Sequence, residues 1–148
     1  LKNILYKNAV RSGLSRSICL NLQGRPTLNA GAYGLHQSSG HWENFRYWQD
    51  IILRKGRLFT SDQLAMGLAI WQDNLSYEAL PDICNYMGPW RWCKKRKIFV
   101  DYFAPYDPIS VVHLAGQDKM RADPSTKITI MDMNDAPILK SLRFQGKS

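Results

Sequence analysis

The sequence predicts an α+β fold in which an N-terminal basic coil extension and a three-helix antiparallel middle precede a small β-rich C-terminal part. Apolar residues recur at helical spacing between residues 42 and 87. After residue 97, β-branched and aromatic residues form short runs typical of strands. The length of 148 residues suits one folded domain. We therefore expect a basic extension over residues 1–42 and a single small α+β domain over residues 43–148.

The N-terminal extension has an unusual composition. Residues 1–42 contain five Lys or Arg residues, many serines and no acidic residue. The first nine residues place apolar side chains at helical spacing, and the Gly, Asn and Ser content of residues 20–41 predicts coil. A basic, Ser-rich and acid-poor start is typical of mitochondrial targeting peptides. Because a long coil is ordinarily mobile, we expect a large partner to hold this segment.

Three helices are predicted in the middle of the chain. The first spans about residues 42–55 and ends at a glycine. The second follows Thr60, which matches a capping box with Gln63. The third spans about residues 76–87 and is stopped by a Gly-Pro pair. The short connections between them favour antiparallel packing.

The C-terminal part contains three predicted strands, at residues 97–103, 109–114 and 127–131. The Asp-Met-Asn-Asp sequence at residues 132–135 is typical of a turn, since it lacks the glycine and the ligand number of a calcium loop. Residues 136–144 are expected to form a short helix or an extended tail.

Positive charge is concentrated in two places. The stretch Trp-Arg-Trp-Cys-Lys-Lys-Arg-Lys at residues 90–97 holds five cations and no acid, and residues 1–42 hold another five. The remaining chain has ten Lys or Arg residues against twelve acidic ones, so these two segments account for the net charge of +8. Clustered charge indicates contact with an acidic partner, whereas scattered charge would indicate solubility alone.

Nucleic acid is the acidic partner that this pattern favours. Lys and Arg clusters bind phosphates without reading sequence, and tryptophans can stack on unpaired bases. We expect a structural, RNA-contacting subunit of a mitochondrial ribosome or similar ribonucleoprotein particle in the matrix, bound to rRNA or other structured RNA and to neighbouring protein subunits. The predicted RNA-binding residues are Arg11, Arg16, Arg25, Trp90, Arg91, Trp92, Lys94, Lys95, Arg96 and Lys97.

An alternative places the chain in a matrix-side accessory subunit of a respiratory-chain complex or ATP synthase. In that case the basic run would meet an acidic subunit or make a peripheral contact with anionic lipid headgroups. A separate RNA-processing factor is a third possibility, although such factors usually carry several repeats or a catalytic domain.

The sequence lacks the common signatures of catalytic and metal-binding sites. The chain has no P-loop, GxGxxG, HExxH or GxSxG motif. Its three cysteines form no CxxC pair and have no zinc-ligand spacing, which fits a reducing compartment. No apolar run reaches the roughly 18 to 20 residues of a membrane-spanning helix. We therefore expect no enzymatic activity, no cofactor, no metal and no transmembrane segment.

Overall fold

The computed structural model describes residues 1–143, and these form five α-helices, one short 3-10 turn and a four-stranded sheet, which confirms the α+β class. The chain divides into two compact units, Leu1–Ala79 and Leu80–Ser148. Unit 1 contains α1 (Lys2–Arg11), α2 (Arg16–Gly24), α3 (His41–Leu53) and α4 (Ser61–Trp71). Unit 2 contains β1 (Trp90–Cys93), β2 (Ile98–Asp101), α5 (Asp118–Ala122), β3 (Ile128–Asp132) and β4 (Pro137–Lys140).

Helix α4 is the centre of unit 1. Residues 64–70 are all buried, because α1, α2 and α3 each contact this helix. Its sequence is apolar on every side, as expected for a helix that is covered all round. The buried core cluster consists of Ala9, Cys19, Trp48, Ile52, Leu64, Ala65, Leu68 and Ala69.

The N-terminal segment is part of this core. The helical spacing of the first residues is confirmed by α1. Coil was predicted for residues 20–41: residues 25–40 contain no helix or strand, but residues 20–24 belong to α2 and His41 begins α3. Two tryptophans hold this coil in place. The indole N–H of Trp71 donates to the carbonyl oxygen of Pro26 (3.2 Å), and the indole N–H of Trp42 donates to the carbonyl oxygen of His36 (3.1 Å). These two hydrogen bonds tie the coil to α3 and α4 of the same unit.

The first two predicted helices are confirmed as α3 and α4, but the capping box is wrong. Thr60 has a φ of 69°, in the left-handed region, and its side chain caps nothing. The side-chain amide of Gln63 instead donates to the side-chain oxygen of Asn29 (3.4 Å). Helix α4 therefore begins directly after a left-handed residue, without a side-chain cap.

The third predicted helix, over residues 76–87, is also wrong. Only Asp82–Cys84 form a single 3-10 turn there. The neighbouring backbone groups bond to residues 110–113 instead, for example from Val111 N to the carbonyl oxygen of Ile83 (3.1 Å). Pairing with a distant segment thus satisfies the groups that a helix would have paired locally.

The sheet of unit 2 has the strand order β2-β1-β3-β4. β1 pairs antiparallel with β2 and parallel with β3, and β3 and β4 form an antiparallel hairpin. The predicted strands at residues 97–103 and 127–131 are confirmed as β2 and β3. Residues 109–114 form no named strand and make one isolated bridge through Val112. The tail expected at residues 136–144 is extended and forms β4, although Phe144 lies outside the described residues. Strand β1 was not predicted.

The loop between α3 and α4 (residues 54–60, the α3–α4 loop) is fixed by one side chain of α1. Asn8 is buried, and its amide oxygen accepts from Arg57 N (2.7 Å). Its amide nitrogen donates to the carbonyl oxygens of Arg57 (3.1 Å) and Phe59 (3.4 Å). A single asparagine thus satisfies three backbone groups of a loop that has no regular structure of its own.

Replacing Asn8→Ala should lower the free energy of unfolding of unit 1 by roughly 2–3 kcal/mol, because it removes three hydrogen bonds and leaves partly buried backbone groups unpaired. Urea titration followed by circular dichroism at 222 nm measures this, since four of the five described helices lie in unit 1. Asn3→Ala, at an exposed position of the same helix, is the matched control. A change below about 0.5 kcal/mol for Asn8→Ala would contradict this role.

Candidate nucleic-acid interface

Residues 90–101 form a β-hairpin whose strands are joined by a four-residue loop, Lys94 to Lys97 (the basic loop). The Lys97 N–H donates to the carbonyl oxygen of Cys93 (2.8 Å), and Lys97 adopts a left-handed φ of 55° that closes the loop. Lys97 was predicted to begin a strand, but all four residues lie at the tip of the hairpin, where they are exposed.

One cation of the basic loop is bound within the protein. The Lys94 ammonium lies 2.6 Å from Oδ2 of Asp132, whose side chain is 2% exposed. The other carboxylate oxygen accepts from the backbone N–H groups of Asn134 (2.8 Å) and Ala136 (3.0 Å). The Lys94 ammonium, followed by these backbone donors, lowers the pKa of Asp132 to about 2. The turn predicted at residues 132–135 is therefore confirmed and is tied to the basic loop.

Arg91 also belongs to the fold, although it was predicted as an RNA contact. It is 9% exposed. Its guanidinium donates to the carbonyl oxygens of Asp132 (2.8 Å) and Tyr102 (3.0 Å), pairs with the Asp135 carboxylate at 2.7 Å and lies 4.5 Å from the Tyr102 ring centroid. These partners engage Nε and Nη1 of the guanidinium within the protein.

The two tryptophans of β1 are half-buried and share one face of the strand. Trp92 contacts Phe99 edge-on, with 5.1 Å between ring centroids, and the Lys140 ammonium lies 3.9 Å from the Trp92 centroid. The Trp90 ring packs on Gly88, where an added Cβ would approach it to 2.8 Å. Only the exposed parts of these rings remain for stacking on a base.

Lys95, Arg96 and Lys97 remain as the outward-facing cations. Within residues 1–143, no carboxylate lies within 4 Å of their charged groups. A fourth cation of the same hairpin region is Lys140, whose ammonium lies over the Trp92 ring. It was not among the predicted RNA-binding residues. It stands more than forty residues further along the chain, and no local pattern links the two positions.

The three predicted arginines of the N-terminal segment lie in unit 1. Arg11 donates from Nε to the carbonyl oxygen of Lys55 (3.2 Å), and the Arg25 guanidinium lies 5.6 Å from the Trp71 ring centroid. Arg16 is exposed at the first residue of α2. Each of the three thus belongs to the helical unit, whereas the other seven predicted residues are consecutive or nearly so on the hairpin of unit 2.

The thiol of Cys93 adjoins the basic loop. Hydrogen bonding from the backbone N–H of Arg96, reinforced by the guanidinium of the same residue, lowers the pKa of the Cys93 thiol. In contrast, burial raises the pKa of the Cys19 thiol in the core of unit 1. These contacts favour the thiolate form of Cys93.

Unit 1 contains a separate cavity of about 560 Å³ that the sequence analysis did not predict. It is open to solvent and is lined by both apolar and polar side chains. Nothing in the composition of the coil indicated that its residues would line a cavity together with side chains of α3 and α4. The principal lining residues are Tyr33, Trp42, Phe45, Arg46, Gln49, Asp50, Leu53, Asp62 and Met66.

No group of three His, Cys, Asp or Glu side chains within residues 1–143 lies close enough to hold a metal ion together. No helix there has the length and apolar character needed to cross a bilayer.

Comparisons of the chain with protein-family models, with curated proteins and with solved structures returned no match. We therefore infer the function from the geometry of these residues.

The depressed pKa of Asp132 predicts a specific acid sensitivity of unit 2. The ionised carboxylate stabilises the fold above its ordinary pKa of 3.8, and this contribution is lost as the pH falls through about 2. In Asp132→Asn that part of the pH dependence should be absent. Urea titrations between pH 2 and 5, followed by the indole resonances of Trp90 and Trp92, should therefore show the two proteins converging at low pH.

Asp107→Asn is the control for this measurement, because the Asp107 carboxylate is exposed and makes no hydrogen bond with any described residue. Its urea midpoint should follow that of the unmodified chain at every pH. Parallel pH profiles for Asp132→Asn and the unmodified chain would show that the carboxylate does not stabilise the hairpin.

Proposed function

We propose that the protein is a structural RNA-contacting subunit of a ribonucleoprotein particle and that the basic loop is its RNA contact. The observation that carries the proposal is the presence of three consecutive exposed cations, Lys95, Arg96 and Lys97, at a hairpin tip. None has an acidic partner within the described residues. Phosphates are the partners that such a cluster binds most strongly.

The geometry of the hairpin supports backbone contact rather than base reading. The basic loop is short and is held at its base by the ion pair between Lys94 and Asp132. Its three outward-facing side chains are long and flexible, as suits contact with phosphates spaced along a strand. The half-buried Trp92 offers at most one exposed part of its ring to an unpaired base. The contact therefore positions the protein on RNA without selecting a sequence.

A mitochondrial ribosome or a similar particle of the matrix is the setting that we propose. The acid-free, basic composition of residues 1–42 supports this localisation. Helices α1 and α2 supply core residues of unit 1, so these residues are not a separate extension. The support for a mitochondrial localisation therefore comes from their composition alone. The alternative setting, a matrix-side accessory subunit of a respiratory-chain complex or ATP synthase, would direct the same loop toward acidic protein or lipid.

Neutralising the outward-facing cations tests the RNA contact. Lys95→Gln/Arg96→Gln/Lys97→Gln should weaken binding of a labelled RNA stem-loop, measured by fluorescence anisotropy over a range of KCl concentrations. Loss of three phosphate contacts should reduce the slope of log Kobs against log salt by about 2 to 3 units. The fold should persist, because Lys94 and its ion pair are untouched.

The matched control removes the same charge elsewhere in unit 2, through Lys119→Gln/Arg121→Gln/Lys127→Gln, at exposed positions outside the hairpin. It should lower affinity only slightly. An equal loss in both variants would mean that net charge alone attracts RNA, and an unchanged salt slope in the hairpin variant would refute the assignment.

A further inference from the structure

The α3–α4 loop presents two apolar side chains to solvent. Leu58 is 76% exposed and Phe59 is 70% exposed, and these are the two most exposed large hydrophobic residues in the described chain. They are adjacent in sequence, and Leu53 at the end of α3 is also exposed. Clustered apolar side chains of this kind mark a surface that something covers.

Cations flank this apolar pair. Arg54, Lys55 and Arg57 are exposed and lie within four positions of one another, and the loop contains no acidic residue. No carboxylate in residues 1–143 lies within 4 Å of their charged groups. The guanidinium of Arg11, bonded to the carbonyl oxygen of Lys55, adds a fourth cation beside the loop.

The backbone of the loop is fixed by hydrogen bonds to other parts of unit 1. Asn8 binds the backbone at Arg57 and Phe59, as described above. Gly56 donates to the carbonyl oxygen of Ile52 (2.7 Å), and a Cβ at this glycine would lie 2.4 Å from Oγ of Ser12. The loop backbone therefore loses its conformational entropy on folding, and binding does not require a second loss of this entropy.

We propose that the α3–α4 loop docks unit 1 on the surface of an anionic lipid bilayer. Leu58 and Phe59 insert at the boundary of headgroups and acyl chains, while Arg54, Lys55 and Arg57 contact headgroup phosphates. This combination of apolar tip and cationic base is the one that interfacial anchors use. RNA phosphates would bind the cations, but an exposed aliphatic side chain such as Leu58 would add little to RNA binding. The surface lies in unit 1 and is independent of the basic loop of unit 2.

Co-sedimentation of the full chain with sucrose-loaded vesicles tests the proposal. The chain should bind vesicles of phosphatidylcholine and phosphatidylserine in a 7:3 ratio and bind pure phosphatidylcholine far more weakly. Leu58→Ser/Phe59→Ser should lower partitioning by about tenfold or more, given the apolar area removed. Arg54→Gln/Lys55→Gln/Arg57→Gln should lower it by roughly fivefold for each cation at low salt.

Leu80→Ser/Leu139→Ser removes two exposed leucines of unit 2 and is the matched control, which should bind as the unmodified chain does. Circular dichroism verifies that each variant is folded. Failure of the unmodified chain to bind anionic vesicles would overturn the proposal. So would binding that survives Leu58→Ser/Phe59→Ser but is lost in Lys95→Gln/Arg96→Gln/Lys97→Gln, because the lipid contact would then be the basic loop.

A protein partner is the other occupant that the experiment separates. Sedimentation velocity of the unmodified chain and of Leu58→Ser/Phe59→Ser measures self-association directly. A dimer that this double substitution dissociates, without any effect on vesicle binding, would identify a second copy as the occupant and would overturn the lipid assignment.

Discussion

The buried carboxylate of Asp132 is the constraint on which the hairpin depends. It lies at the end of β3, accepts from two backbone N–H groups of the β3–β4 turn and pairs with Lys94 of the basic loop. A buried carboxylate without such partners would be costly, so the loop cannot move away from the turn without a penalty. One ionisable side chain thereby joins two hairpins that are distant in sequence.

The basic octapeptide divides its residues between structure and surface as a result. Arg91 and Lys94 are held by Asp132 or its neighbours, and Trp92 is shared between Phe99 and Lys140. Lys95, Arg96 and Lys97, the last three residues of the loop, pair with no carboxylate among the described residues. Charge alone does not distinguish these two groups, because they differ in the partners that the fold brings to them. The proposed RNA contact is therefore smaller than the charged segment itself.

Local sequence signals predicted what local forces determine. α3 and α4 were recognisable because a helix that buries an apolar face repeats it every three or four residues. The segment at residues 76–87 has similar spacing but pairs with residues 110–113, and this distant pairing overrides its helical pattern. The alternation of Trp90 and Trp92 was a signal for β1, but the surrounding charge obscured it. Neither the parallel pairing of β1 with β3 nor the Lys94–Asp132 ion pair leaves a mark in nearby residues.

The central claim is that the tip of this hairpin contacts RNA, and ultraviolet cross-linking in native extract tests it most directly. The full chain would be cross-linked, digested and examined by mass spectrometry for peptides that carry a nucleotide. The account predicts nucleotide adducts on peptides that contain residues 90–98 and a loss of those adducts when Lys95, Arg96 and Lys97 are neutralised. Adducts confined to residues 1–79, or no adducts at all under conditions that label known RNA-binding proteins, would contradict it.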